Sequence, residues 1–291
     1  MTAIPGPGAG RLTVVTLGVV TVVLAYPWRS ITDRWALGIA VAVVLVSLIW
    51  WRRRFLTTIV LQRLRVVLGR KPIRHPSGNV RRTGADVVTT ALLRVDGGDT
   101  ELPIGVLTDY LDRYGLICDA VRVTTRTVAD LTTTWIGLTF SGARNLPALQ
   151  GRSPHIPLRQ TAESTARRLA GQLRETGWTT TLVDADELPE LSAIDARERW
   201  RSITDARGYV TAYTIADPRT ALTGVSATGA QEIWTVVEIA RNSPLNLRAG
   251  AAIRTEDRPA RSAPVPGMTL IAGRQATALA ALHPLSGVRL V

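Results

Sequence analysis

Two uncharged apolar runs stand near the front of the chain. Residues 12–28 (LTVVTLGVVTVVLAYPW) and 35–51 (WALGIAVAVVLVSLIWW) each hold seventeen residues without a charge. As helices they would each span roughly 25 Å, at the short end of what crosses a bilayer. Their β-branched content does not argue against helix in lipid, where backbone groups must be satisfied within the segment. Trp28, Trp35, Trp50 and Trp51 sit at the ends of the runs, where an aromatic belt places them. The pattern predicts a transmembrane hairpin over 12–51, after a flexible tail at 1–11. A cleaved leader ending near Val23-Leu24-Ala25 is the competing reading of the first run. The Pro/Gly-rich start with Arg11 as its only charge, and a second run only six residues later, favour two retained helices.

Beyond residue 51 the periodicity changes. Residues 52–68 (RRRFLTTIVLQRLRVVL) place Phe55, Ile59, Leu61, Leu64, Val67 and Leu68 in an apolar helical stripe beside arginines. Two readings stand. One is a membrane-surface helix held by anionic lipid, at about 1 kcal/mol per basic residue near the surface. The other is a helix that continues the second run and docks on a partner. Gly69 to Gly84 reads as a linker, which makes 52–84 a basic juxtamembrane helix and linker.

From residue 85 the pattern is regular. A strand is expected at 86–95, then a turn at Gly97-Gly98-Asp99. A helix follows over 103–114, begun by Pro103 and stopped by Gly115. Residues 117–127 and 133–141 are β-branched runs that read as a hairpin. The clearest helix covers 157–176, with the stripe Leu158, Ala162, Thr165, Leu169 and Leu173, and Gly177 ends it. A strand at 178–183 completes the β-α-β-β-α-β order of a ferredoxin-like sandwich. Further strands are expected at 208–216, 231–240 and 249–255, with a Pro-rich break at 258–267 and a short terminal helix or strand pair. The expected class is α+β: an N-terminal two-helix transmembrane hairpin, then a cytoplasmic α+β domain over 85–291 with room for a subdomain seam at 185–205.

Charge sets the orientation. The chain carries 35 basic and 23 acidic residues, yet residues 1–74 hold eleven basic side chains against Asp33 alone. The loop between the apolar runs has Arg29 and Arg34, whereas Arg52, Arg53, Arg54, Arg63, Arg65, Arg70, Lys71 and Arg74 follow the second. That asymmetry predicts two spans that leave both termini in the cytoplasm. A nucleic-acid binder wears its charge on the folded domain, and the basic run at 52–82 has Phe55 as its only aromatic, so no nucleic-acid partner is expected. Cys118 is the single cysteine, which excludes an internal disulfide.

The search for chemistry finds little. Lys71 lies in Gly69-Arg70-Lys71-Pro72 and does not complete a P-loop, and Gly6, Gly8 and Gly10 precede no strand-helix turn. The Gly224–Gly229 string has the wrong spacing for a nucleophile elbow. His75, His155 and His283 each adjoin a proline in expected loops, and Cys118 sits in an apolar strand run. Neither C-x-x-C nor H-x-x-x-H occurs. Asp109 and Asp112, beside Arg113, read as a solvated helix face. One string is ambiguous: Asp184-Ala185-Asp186-Glu187, with Glu190 behind it, follows a strand. It fits a divalent cation holding a sugar nucleotide in a membrane-tethered glycosyltransferase, and equally an N-cap with acids in the first helical turn. No catalytic, cofactor-binding or metal residue is otherwise expected.

Several strings resemble one family, EccE, a membrane component of the mycobacterial ESX (type VII) secretion systems. They are Trp50-Trp51-Arg52-Arg53-Arg54 after the hairpin, ALLRVDGGDTELPIGVLTDYLDRYG, ICDAVRVTTRT, TTWIGLTFSGARNLPALQGRS and IPLRQTAESTARRLAGQLRETGW. The resemblance covers most of residues 12–184 and is strongest to the paralogue of the iron-acquisition-linked system. It implies an inner-membrane protein with a cytoplasmic C-terminal domain, assembled with EccB-, EccC- and EccD-like partners and without an established enzymatic activity. With the empty search for chemistry, the expectation is a structural, non-enzymatic subunit. It carries no functional residues onto this chain.

Overall fold

The computed structural model describes residues 50–51, 54–55, 63, 79–83, 86–97, 102–129, 131–151, 156–193, 195–218, 224–225, 230–241 and 246–290. The chain divides into two units, Met1–Arg70 and Lys71–Val291. In the first, β1 (Trp50–Trp51) pairs antiparallel with β2 (Arg54–Phe55), Trp50 opposite Phe55. The described residues there do not form one helix continuing from the second apolar run into the basic segment. The rest of the two expected spans, 12–28 and 35–49, lies outside the described residues. Among the described residues no helix is long and apolar enough to cross a membrane.

The second unit is mixed α+β and mostly sheet. Its elements are β3 (Val80–Thr83), β4 (Asp86–Asp96), α1 (Ile104–Asp109), β5 (Asp112–Arg113), β6 (Leu116–Ile117), β7 (Ala120–Val128), β8 (Leu131–Ser141), α2 (Leu146–Gln150), α3 (Leu158–Glu175), β9 (Thr179–Val183), β10 (Arg197–Glu198), β11 (Ile203–Asp205), β12 (Gly208–Ile215), β13 (Glu232–Ala240), β14 (Asn246–Thr255), β15 (Met268–Leu270) and α4 (Gln275–Leu282). Eleven strands form one antiparallel sheet with the spine β10-β11-β12-β14-β13-β7-β8-β4-β3. Each flank of the long strands is shared. β3 and β9 pair successive stretches of β4, and β11 and β15 both pair β12.

Within this sheet β9-β4-β8-β7, with α1 and α3 as connections, has the split β-α-β arrangement. The sheet continues from this half into the next, because β7 and β13 pair over nine residues, Ala120–Val128 against Glu232–Ala240. The alternation of side chains sorts the core. Leu93, Val121, Ile136, Leu138 and Ile239 pack under α1 and α3, while Leu92, Trp135, Trp234 and Val236 pack with α4 on the opposite face. All five expected stripe residues of α3 are buried. Gly177 and Trp178 close that helix by donating to the carbonyls of Arg174 and Leu173, a Schellman ending.

The helix expected at 103–114 is shorter than its sequence suggests. It stops at Asp109, and Asp112–Arg113 folds back on Leu116–Ile117 as a small hairpin. Gly115 is thus the second residue of a turn, with φ 69°, and not a helix stop. At the other end of the domain, Gly208 has φ 110°, and a Cβ there would lie 2.5 Å from the Thr255 carbonyl oxygen. Gly208→Ala is therefore expected to cost about 2–3 kcal/mol. Calorimetry should show the unfolding midpoint falling by roughly 4–12 °C.

Candidate functional site

The sequence-expected positions are scattered. Trp50, Trp51 and Arg54 lie in the β1–β2 pair, and Arg63 is helical and exposed. Trp28, Trp35, Arg52, Arg53, Arg65, Arg70 and Lys71 lie outside the described residues, as do His75 and His155. Asp184 follows β9 and precedes a 3₁₀ turn, Ala185–Glu187. Its N–H donates to Glu187 Oε1 at 3.1 Å, and its own carboxylate meets Arg159 at 3.2 Å. The string is thus engaged at a helical-turn entry, with Arg159 as its cation. Among the described residues no three His, Cys, Asp or Glu side chains come together as metal ligands would.

Cys118 and His283 are packed inside. The Cys118 thiol donates toward the carbonyls of Ala120 (3.2 Å) and Thr139 (3.3 Å), and burial pushes its pKa up to about 12. A thiol so protonated is no nucleophile near neutral pH. His283, just past α4, accepts from the Leu285 N–H through Nδ1 at 3.3 Å.

The densest polar constellation is one the sequence reading did not single out. It lies on the face of the sheet that carries α4, in two buried ion clusters. In the first, Arg122 of β7 stands opposite Glu238 of β13, with Nη2 2.5 Å from Oε2. The same guanidinium donates to the carbonyls of Ala281 (3.1 Å), His283 (3.4 Å), Ser286 (2.6 Å) and Val288 (2.8 Å). Glu238 Oε2 also accepts from the Leu290 N–H, while Arg248 donates to the Leu290 carbonyl. One arginine therefore fastens residues 281–290 across the sheet as a strap, whose Leu285 and Leu290 side chains are buried.

The second cluster centres on Glu232. Oε1 accepts from Arg126 Nε (2.6 Å) and from the Trp234 indole (3.0 Å), and Oε2 accepts from Arg254 Nε (3.0 Å). Arg254 reaches on to Asp205 (2.8 Å) and to the Leu191 carbonyl (2.7 Å). Burial alone would raise the Glu232 pKa, but hydrogen bonds and charge from Arg126, aided by Trp234 and Arg254, hold it below the usual carboxylate value. Asp205 follows the same balance, with Arg254 outweighing its desolvation. Between the clusters Trp135 stacks on Trp234, with centroids 5.8 Å apart and planes 12° from parallel.

Glu232 and Asp205 are saturated by guanidiniums, the Trp234 indole and amide donors, whereas Glu238 is held through Oε2 alone and its Oε1 is buried without a hydrogen-bond partner. Their partners come from strands far apart in the chain: the ion pairs join β7 to β13, β13 to β14 and β14 to β11, and Arg122 also holds the strap. A signal for it existed. Arg122 and Arg126 in ICDAVRVTTRT, Glu238 in TVVEIA and Arg254 in AAIRT each interrupt an apolar strand, and a charge so placed needs a buried counter-charge.

Comparison with known proteins agrees with the strings noted above and extends them. Residues 128–215 match the family described as "Putative type VII ESX secretion system translocon, EccE". The ESX-3 secretion system protein EccE3 of Mycolicibacterium smegmatis is 42% identical over 286 residues, covering 96% of this chain and 89% of that protein. EccE3 of Mycobacterium tuberculosis is 42% identical over 304 residues, covering all of this chain and 89% of its relative. The likeness therefore continues past residue 184, through the part of the sheet that carries the second ion cluster.

Proposed function

This chain belongs to the EccE family of type VII secretion components, and we propose that it is a non-enzymatic structural subunit of such a system's inner-membrane complex. The observation that carries this reading is the 42% identity to ESX-3 EccE3 proteins along the whole chain. The described domain is consistent with it, since its buried charges serve to join strands. In this reading the runs 12–28 and 35–51 anchor the protein with both termini cytoplasmic. The cluster Arg52, Arg53, Arg54, Arg63, Arg65, Arg70 and Lys71 meets anionic lipid, and residues 85–291 brace EccB-, EccC- and EccD-like subunits. The system served is the iron-linked one.

The test is a mild-detergent pull-down of tagged full-length protein, with mass spectrometry of what remains bound. A stoichiometric set that includes an ATPase and other membrane proteins is the expected result. Recovery of the protein alone at full membrane yield would overturn the subunit reading. Deleting residues 1–54 is expected to move the domain into the soluble fraction and to abolish co-purification. Full retention by the truncated chain would show that the apolar runs are not the anchor.

A further inference from the structure

The connection between β5 and β6 puts an exposed tyrosine into a conformation that tyrosine disfavours. Tyr114 and Gly115 both have positive φ, 59° and 69°. Such a pair makes a type I′ turn, whose first position is best filled by Asn and whose second by Gly. Gly115 fits, whereas a bulky residue with a Cβ at position 114 is a rare choice. Burial does not explain it, since Tyr114 is 45% exposed.

The ring does have neighbours. The Arg168 guanidinium, from α3, lies 4.6 Å from its centroid, and that of Arg113 lies 5.1 Å away. Arg113 also sits 4.9 Å from the ring of Tyr110, which meets Tyr114 edge-on at 6.4 Å. Gln172 accepts from Arg113 (2.9 Å) and from the Tyr110 hydroxyl (3.3 Å), holding the group together. Some other exposed arginines have carboxylate partners: Arg144 pairs with Asp119, Arg159 with Glu163 and Arg241 with Asp112. Among the described residues, neither Arg113 nor Arg168 has a carboxylate within salt-bridge reach.

We infer that Arg113, Tyr114 and Arg168 form a docking platform for an acidic protein segment, whose Asp or Glu carboxylates meet the two guanidiniums beside the tyrosine ring. The inference rests on the subunit reading and supplies it with a contact surface. Guanidiniums held against aromatic rings offer their N–H edges in fixed directions, the geometry that a carboxylate matches with paired hydrogen bonds. Arginine and tyrosine are also the side chains enriched at the centres of protein interfaces. A membrane is the weaker match, because recognition of anionic lipid takes clusters of about 4–8 basic residues.

Two substitutions test this without threatening the fold. Tyr114→Asn creates the Asn-Gly pair that the turn favours, and Arg168→Glu reverses a charge at an exposed helix position. Full-length wild type and both variants would be pulled down in mild detergent from cells that make the other subunits. Each variant is expected to recover roughly tenfold less of one partner at equal membrane yield, the scale of losing an interface arginine or tyrosine. A wild type that recovers no other subunit overturns the subunit reading itself. A wild type that recovers them, with both variants recovering as much, overturns the platform alone. Photo-crosslinkable benzoylphenylalanine at position 114 of the full chain is expected to mark an acidic segment of another subunit, and adducts confined to lipid would overturn the assignment.

Discussion

Arg122→Met is expected to cost about 3–5 kcal/mol of folding stability, the scale for breaking a buried ion pair by removing one partner. The loss has two sources. Glu238 is left as a buried carboxylate whose remaining donor is the Leu290 N–H. The carbonyls of Ala281, His283, Ser286 and Val288 lose the donor they share. For a domain of this size the unfolding midpoint should fall by roughly 6–20 °C, and carboxypeptidase should digest the freed strap. The double variant Arg122→Met/Glu238→Met removes the orphaned charge and should recover part of the loss. The His283 carbonyl keeps the Ser286 N–H, but those of Ala281, Ser286 and Val288 still lack the guanidinium, so recovery should be incomplete. A single variant as stable as wild type would show that the guanidinium does not hold the strap.

Glu232→Gln is expected to cost about 3 kcal/mol near neutral pH, because Arg126 and Arg254 lose a buried counter-charge. It also has a signature in pH. The folded pKa of Glu232 lies below its unfolded value near 4.5, and that of Asp205 lies below 3.8. A depressed carboxylate contributes stability that is fully present above the unfolded pKa and is lost as pH falls through the folded one. Wild type should therefore weaken progressively below about pH 4.5, and the glutamine variant should weaken with a shallower slope. Thermal unfolding of both proteins from pH 7 down to pH 3 makes the comparison. Parallel pH profiles would mean that Glu232 does not titrate with folding.

What was legible in the sequence follows from where the signal is local. The α3 helix was readable to within a residue at each end, because an uninterrupted apolar stripe and a terminal glycine state it within eighteen residues. The β7–β8 hairpin was found but began late, at Ala120, since Leu116–Ile117 had already been taken by the small hairpin with Asp112–Arg113. Gly115 misled because a glycine after an apolar run reads alike as a helix stop and as a turn. The Asp184 string was ambiguous for a similar reason: its surroundings, including Arg159, are spatial neighbours 25 positions away. The ion clusters were hardest. Arg122 and Glu238 are 116 positions apart, and each had only its own misfit in an apolar strand to announce it. The strap, HPLSGVRL, has no period at all, because it is held by hydrogen bonds that its carbonyls accept from Arg122 and not by a repeating apolar face.

The strap also sets an order of events during synthesis. Arg122 is made early, yet the carbonyls that satisfy it lie 159 to 166 positions downstream. At about 5–20 residues per second, a ribosome needs roughly 8–33 s to deliver them. The strands built around β7 lack the counter-charge from Glu238 for the first 116 residues of that interval, and the cover supplied by α4 for nearly all of it. Contacts of such high sequence separation delay satisfaction of the Arg122 guanidinium until the strap emerges. The first apolar segments of the nascent chain have left the ribosome long before then. The charge network around Arg122 is thus completed only after nearly all of the other strands have been made.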